Sequence, residues 1–355
     1  MKLFLIGGFL GSGKTTAIQH ACIGLLQKGI KVGVITNDQG IHLVDTNYFR
    51  SFNIPALEVT DGCFCCNYDK LGNNIQALIE NNDPEIIFAE SVGSCTDLIA
   101  TVVKPLLKFH PDIAVSVCVF ADARVLPVLI KGSGLFIETI NYIYRKQLEE
   151  ADFIVVSKID MLSKAELETL KLLVKDRYPD KMVLYQSSFN YQHIQLWLEA
   201  LSNFKITPGK PLECDYDIYG AGEAELAWFD SEVEINSTLN NAMSEAFGLI
   251  ENIYKKITRQ RLPVGHLKFF LNDGKKQHKL SFTVNIPQDF TFIPETSKKV
   301  KILINARVQT TPFKLKNIIA DAIQELKQDT GCIVTEHKVS AFQPGYPKPT
   351  HRIDS

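Results

Sequence analysis

The chain has 355 residues, 45% of them hydrophobic, and its 40 acidic and 38 basic side chains leave a net charge of -2. That length suggests about two domains with sizeable cores, and so even a charge balance excludes a broad electrostatic footprint for nucleic acid or an anionic membrane. No run approaches the roughly 20 apolar residues that a membrane-spanning helix needs. The apolar opening breaks into Gly11-Ser12-Gly13-Lys14 without a small-residue cleavage site, so it reads as a buried strand rather than an export signal. A cytoplasmic protein with no nucleic-acid or membrane partner is expected.

From the N-terminus to about residue 204, short β-rich apolar runs alternate with helical stretches, the pattern of a parallel sheet covered by helices. The strands are predicted at Leu3 to Ile6, Lys31 to Thr36, Ala56 to Val59, Glu85 to Ala89, Ala114 to Phe120, Phe153 to Val156 and Met182 to Tyr185. Helices are predicted between several of them, at Thr15 to Lys28, Leu98 to Phe109, Phe136 to Glu149 and Lys164 to Asp176. Residues 205–225 carry prolines and glycines with little periodicity and read as a linker. A smaller α+β domain is expected over 226–342. Its order is strand (Leu226 to Ile235), helix (Leu239 to Ile257), strand (Gly265 to Leu271), turn at Asp273-Gly274, strands (His278 to Ile286, Lys301 to Val308), helix (Phe313 to Lys327) and strand (Ile333 to Phe342). Residues 343–355, rich in proline and polar side chains, are expected to form an extended tail, with His351 more readily solvated than ligating.

Gly8-Phe9-Leu10-Gly11-Ser12-Gly13-Lys14-Thr15 fits G-x-x-x-x-G-K-[ST] between a predicted strand and helix, the context that the phosphate-binding loop requires. Its glycines let backbone N–H groups curl around phosphate, Lys14 reaches the β- and γ-oxygens, and the Thr15 hydroxyl can ligate Mg²⁺. Thr16 is placed to contact the α-phosphate. The strand Ile86-Ile87-Phe88-Ala89 ends on Glu90, with Gly93 three residues on. A carboxylate there can hold Mg²⁺ or its water shell while the glycine N–H senses the γ-phosphate. Lys14 and Glu90 are thus the expected catalytic side chains.

Ser157-Lys158-Ile159-Asp160 follows another apolar strand and resembles the Asn-Lys-x-Asp guanine-reading motif. The Asp160 carboxylate can accept from guanine N1–H and the 2-amino group, a donor pair that adenine lacks. Lys158 is expected to lie along the base, and Ser157 shortens the side chain that ties this loop to the phosphate loop.

Of eight cysteines, Cys22, Cys95, Cys118, Cys214 and Cys332 are isolated and read as core packing. Cys63, Cys65 and Cys66 fall together after a predicted strand, and thiolates so clustered suit Zn²⁺ or Cu⁺. Strand-like spacing would face Cys63 and Cys65 together and turn Cys66 away. His42, Asp38 or water could complete the set.

Taken together, Gly-Gly-Phe-Leu-Gly-Ser-Gly-Lys-Thr-Thr, Gly-Cys-Phe-Cys-Cys, Glu-x-x-Gly and Ser-Lys-Ile-Asp resemble the CobW-type GTPases, relatives of the urease and hydrogenase accessory GTPases. The resemblance covers about residues 1–204. It implies a doubly wound P-loop fold and GTP hydrolysis coupled to delivery of a metal ion, of zinc or cobalt class, or of a metallocofactor to a client metalloenzyme. A homodimer stays among the allowed assemblies. The nucleotide roles fall on Gly11, Gly13, Lys14, Thr15, Thr16, Glu90 and Asp160, and the metal role on Cys63, Cys65 and Cys66. Where the family commonly has Glu-Asn-Glu-Phe-Gly-Glu, this chain has Thr36-Asn37-Asp38-Gln39-Gly40-Ile41, keeping Asp38 and losing two carboxylates. The expected switch has GTP·Mg²⁺ ordering the segment Asn37 to Thr46 and the loop after Glu90, with the thiol turn responding. Two rivals are an ATP-dependent small-molecule kinase, which the Ser157–Asp160 motif disfavours, and a zinc buffer or sensor whose affinity ignores nucleotide.

Overall fold

The computed structural model describes residues 1–38, 44–132, 134–204, 211–283 and 296–354. All seven predicted strands of the first half form: β1 (Lys2–Gly8), β2 (Val32–Asn37), β3 (Ala56–Val59), β4 (Ile86–Glu90), β5 (Ala114–Asp122), β6 (Phe153–Ser157) and β7 (Met182–Gln186). They pair in parallel in the order β3-β2-β4-β1-β5-β6-β7. Central strands such as β1 and β4 are buried along nearly their whole length, which is why their sequences run continuously apolar instead of alternating. On one face, Ala17, Ile18 and Ala21 of the helix Lys14–Gln27 and Ile194, Trp197 and Leu201 of the helix Tyr191–Asn203 pack against Phe4, Phe88, Phe120 and Phe153 from four strands. The chain order reverses on either side of β1, so the loop leaving its C-terminal end opens at a topological switch point, where sheets of this kind receive ligands.

Two local features depart from the predicted elements. The stretch predicted as one helix from Leu98 begins as a π-turn, Ile99–Val103, and continues as an α-helix, Lys104–Phe109. Within the stretch read as a linker, Tyr216–Ala224 is helical.

The chain divides into two compact units. The first holds the parallel sheet, residues to 222 apart from a short excursion, and the closing residues 346–355. The second comprises residues 223–345, joined by the described residues 44–48. Its sheet is antiparallel, in the order β10-β9-β11-β8-β12, from β8 (Leu226–Asn236), β9 (Val264–Asn272), β10 (Gln277–Phe282), β11 (Lys299–Gln309) and β12 (Ile333–Phe342). Predicted strand beyond Thr283 lies outside the described residues. The helix Ala242–Arg259 buries Ala246, Leu249, Ile250, Ile253 and Ile257, a three-four spacing that makes one apolar stripe. The helix Pro312–Thr330 begins at Thr311, whose hydroxyl accepts the Lys314 N–H (3.2 Å), and stops at Gly331 in left-handed geometry. Both helices share one core with β8, β9 and β11.

Candidate functional site

The loop after β1 has the backbone that its glycines permit. Gly8, Gly11 and Gly13 all have positive φ, and a Cβ on Gly8 would sit 2.3 Å from the Phe120 carbonyl oxygen. Phe9 anchors the loop by stacking on Tyr144 (4.8 Å between centroids). Lys14 Nζ donates to the Gly8 carbonyl at 2.7 Å, inside the curve where phosphate oxygens would compete for it. From the first turn of the helix Lys14–Gln27, Thr15 Oγ1 donates to Glu90 Oε1 at the end of β4 (2.9 Å), so hydroxyl and carboxylate are already juxtaposed as an Mg²⁺-binding pair requires. Ser12 is buried and its hydroxyl has no protein partner among the described residues, whereas Thr16 is half-buried.

Ser157, at the end of β6, donates to the Ser12 carbonyl at 2.5 Å, with Ala121 O 3.2 Å away. The short side chain therefore still ties this loop to the phosphate loop, because β6 brings its backbone close enough. Lys158, in left-handed geometry, sends its ammonium to Gly11 O (2.6 Å) and Asp122 Oδ2 (2.8 Å). Asp122 is also paired with Arg124 at 2.6 Å. Burial alone would raise its pKa, but Arg124 and Lys158 outweigh burial and hold the carboxyl below its ordinary range. Asp160 is exposed, on the rim of an open groove that Lys164, Ser187, Phe189 and His193 also line.

The three clustered thiols converge. Cys63 Sγ lies 2.8 Å from Cys65 Sγ and 3.3 Å from Cys66 Sγ, and Cys65 and Cys66 are 3.8 Å apart. Zn–S bonds of about 2.3 Å in a tetrahedron put sulfurs about 3.8 Å apart, so modest opening fits the trio to one ion. Cys66 does not turn away, as strand-like spacing implied, because the segment is a turn. The N–H groups of Cys66 and Asn67 both donate to the Cys63 carbonyl (3.1 and 2.9 Å), which returns the chain to the same side. Asn37, at the end of β2, fixes this turn by donating to Val59 O and Gly62 O and accepting the Phe64 N–H (2.8 Å). Among the described residues this trio is the only group of three or more possible ligands gathered closely enough to hold an ion; Asp38 is not part of it, and His42 lies outside the described residues.

Hydrogen bonds from Cys65 first, then Cys66 and Cys95, hold the Cys63 thiol well below the ordinary thiol range. Its partners shift oppositely: the shared hydrogen bonds and burial raise Cys65, and Cys66 is pushed up to about 11, chiefly by its bond to Cys63. One thiolate braced by neighbouring thiols is a nucleus for a soft cation.

Residues 348–350 lie over this turn. Thr350 donates its N–H to Cys65 O (2.8 Å) and its hydroxyl to Cys66 O (3.0 Å), and the Lys348 N–H points at Cys66 Sγ (3.2 Å). Arg352 pairs with Asp97 at 2.8 Å, and Tyr216 donates to the same carboxylate oxygen at 2.7 Å. His351 is not a free tail residue: its ring packs 5.1 Å from both Tyr68 and Phe109.

A parallel sheet with a glycine-rich phosphate loop at its switch point defines a P-loop nucleotide-binding protein. Residues 2–184, just over half the chain, match the model of the CobW/HypB/UreG nucleotide-binding domain, and the chain belongs to that family. It is 28% identical over 214 residues to the zinc chaperone CobW of Sinorhizobium sp, a match covering 52% of this chain and 58% of that one. Against the zinc chaperone YeiR of Escherichia coli the figures are 26% over 184 residues, 51% and 53%. The chain thus spans little more than half the length of these curated relatives. Among solved structures, HypB from Helicobacter pylori in complex with nickel is similar at 17% identity, covering 58% of this chain and 90% of that one with a TM-score of 0.42.

Sequence reasoning missed Asn37 and Asp122. Asn37 and Asp122 end strands on the ligand side of the sheet, a signal comparable to Glu90.

Proposed function

We propose that this protein is a GTP-hydrolysing metallochaperone whose nucleotide state sets its affinity for a thiophilic metal ion, of zinc or cobalt class, that it carries to a client protein in the cytosol. The observation that carries the reading is the convergence of Cys63, Cys65 and Cys66 beside a strand of the same sheet whose central loop is built for phosphate. Lys14 and the loop's N–H groups bind and orient the triphosphate, and Asp160 selects guanine. Thr15 and Glu90 would hold Mg²⁺, which when bound would supply charge neutralisation for the transferring phosphoryl group. Few other catalytic side chains are needed, so intrinsic turnover is slow. The metal is cargo, and binding is reciprocal by linkage: GTP changes metal affinity by the factor by which metal changes GTP affinity.

The test is an anaerobic titration of Zn²⁺ and Co²⁺ into reduced protein without nucleotide, with GDP·Mg²⁺ and with a non-hydrolysable GTP analogue, repeated after Cys65→Ser. A large nucleotide-dependent difference in Kd that the variant abolishes is expected. Tight binding indifferent to nucleotide would instead describe a static zinc buffer. Turnover of ATP in preference to GTP, with phosphate passed to a small acceptor, would describe a kinase.

A further inference from the structure

The thiol turn is held from two directions. Asn37, at the end of β2, fixes its first half through Gly62 O and the Phe64 N–H. Its second half is held by residues far along the chain: Thr350 bonds the carbonyls of Cys65 and Cys66, and the Lys348 N–H meets Cys66 Sγ. Just beyond, the same segment has anchors of its own. Arg352 Nε donates to Asp97 Oδ2 (2.8 Å), a buried carboxylate on a residue in left-handed geometry (φ 60), and the Ile353 N–H donates to Ala100 O (3.0 Å). The π-turn leaves that carbonyl for Ile353, because the Lys104 N–H goes to Ile99 O and Pro105 has no N–H to give. From Lys348 to Ile353 every side chain is exposed or half-buried, and prolines at 344, 347 and 349 keep the approach extended. A segment bound through polar groups, with so little apolar burial, can open without unfolding the core beneath it.

We propose that residues 348–353 form a strap that completes the metal site from outside, with Thr350 as the positioning residue for Cys65 and Cys66, and that lifting the strap lets the ion go. The inference rests on the metal-binding reading of the three-thiol turn and deepens it. Hydrogen bonds from outside the ligand set orient the ligands, and an N–H donated to a thiolate stabilises its charge. Thr350 does the first for two neighbouring ligands, and the Lys348 N–H does the second for Cys66. Without Thr350 the two carbonyls lose these donors, and the thiols beside them lose their fixed directions. Coupling is reciprocal: a closed strap raises metal affinity, and a bound ion raises the closed fraction by the same factor.

The test loads the reduced full-length chain with Zn²⁺ and follows transfer of the ion to an excess of a chromogenic chelator. Thr350→Val keeps the shape of the side chain and removes its hydroxyl. Arg352→Ala removes an anchor away from the thiols and leaves Asp97 its bond from Tyr216. Each variant is expected to speed transfer and weaken Zn²⁺ affinity by about 10-fold, whereas Thr350→Ser matches the parent. The charge-transfer intensity of the cobalt-loaded variants is expected to equal the parent's, since the strap supplies position and no ligand. Thermal unfolding and GTP affinity are the controls for folding. In the parent, zinc is expected to slow amide hydrogen exchange at Thr350 and Ile353. Transfer at the parent's rate in both variants, with exchange at those two amides indifferent to zinc, would overturn the strap and leave the three-thiol reading intact. No metal binding in the parent that Cys65→Ser abolishes would overturn both.

Discussion

The two units differ in what part of their buried polar groups serves. In the parallel-sheet unit some of them, beside internal pairs such as Asp122 with Arg124, gather at the ligand end of the sheet: the Ser12 hydroxyl, the Thr15–Glu90 pair, and thiols that share hydrogen bonds among themselves. In the antiparallel unit the buried charges are neutralised internally. Arg307, wholly buried, lies 4.0 Å over the Trp228 ring and pairs with Asp230 at 2.8 Å; Asp230 also accepts from Asn305, which in turn accepts the Val44 N–H. Asp45 is held between Lys268 (2.5 Å) and Lys279 (2.8 Å). Polar groups placed in reserve for a ligand build a site, whereas polar groups that complete one another build a scaffold and fix one packing.

The sharpest way to break this contrast is to remove one member from each side. Lys14→Ala is expected to cut GTP turnover by about 10³-fold, roughly 4 kcal/mol of transition-state stabilisation, with little change in thermal unfolding. Steady-state phosphate release beside calorimetry measures both. Arg307→Ala leaves Asp230 charged and buried, and is expected to lower stability by about 3–4 kcal/mol in denaturant titration. If Arg307→Ala is neutral, the antiparallel unit does not depend on its internal pairing.

Two carboxylates sharpen the contrast through pH. Burial, with Asp97 nearby, pushes the Glu150 carboxyl in the first unit up to about 8. A raised pKa means that the fold prefers the protonated form, so this contribution is complete below about pH 4.5 and is lost as pH rises through 8. Glu150→Gln is expected to remove about 3 kcal/mol of that slope, with partial solvent access already discounted. Asp45 in the second unit has the opposite sign. Burial opposes its charge, but Lys268 and Lys279 prevail and hold the carboxyl far below its ordinary range. Its contribution is present above about pH 4 and is lost as pH falls. Asp45→Asn is expected to cost about 2 kcal/mol at neutral pH and to flatten the acid limb. Unfolding midpoints measured from pH 3 to 9 on both variants should therefore diverge at opposite ends of the range.

Much of this was legible because local rules and fold agree. Continuous apolar runs gave the seven parallel strands, period-three-four stripes the two helices of the second unit, and glycine spacing the phosphate loop. Where the reading went astray, a contact distant in sequence decided the matter. Ser157 looked too short, yet β6 delivers it to Ser12. Strand-like alternation would have turned Cys66 away although the resemblance gave it a metal role, and the hydrogen-bonded turn brings it to the other two thiols. Residues 343–355 read as an extended tail with His351 solvated, whereas Thr350 bonds to the thiol turn and the His351 ring packs on Tyr68 and Phe109.

The sequence by itself determined the fold class, the phosphate-binding loop and the cluster of three cysteines, since each depends on residues near one another along the chain. Only the tertiary structure decided that Cys66 turns to the side of the other two thiols, that Asn37 holds their turn and that Asp122 anchors Lys158. Those meetings depend on which strands become neighbours, and the energy that selects neighbours is spread over the whole buried sheet rather than written in any one motif.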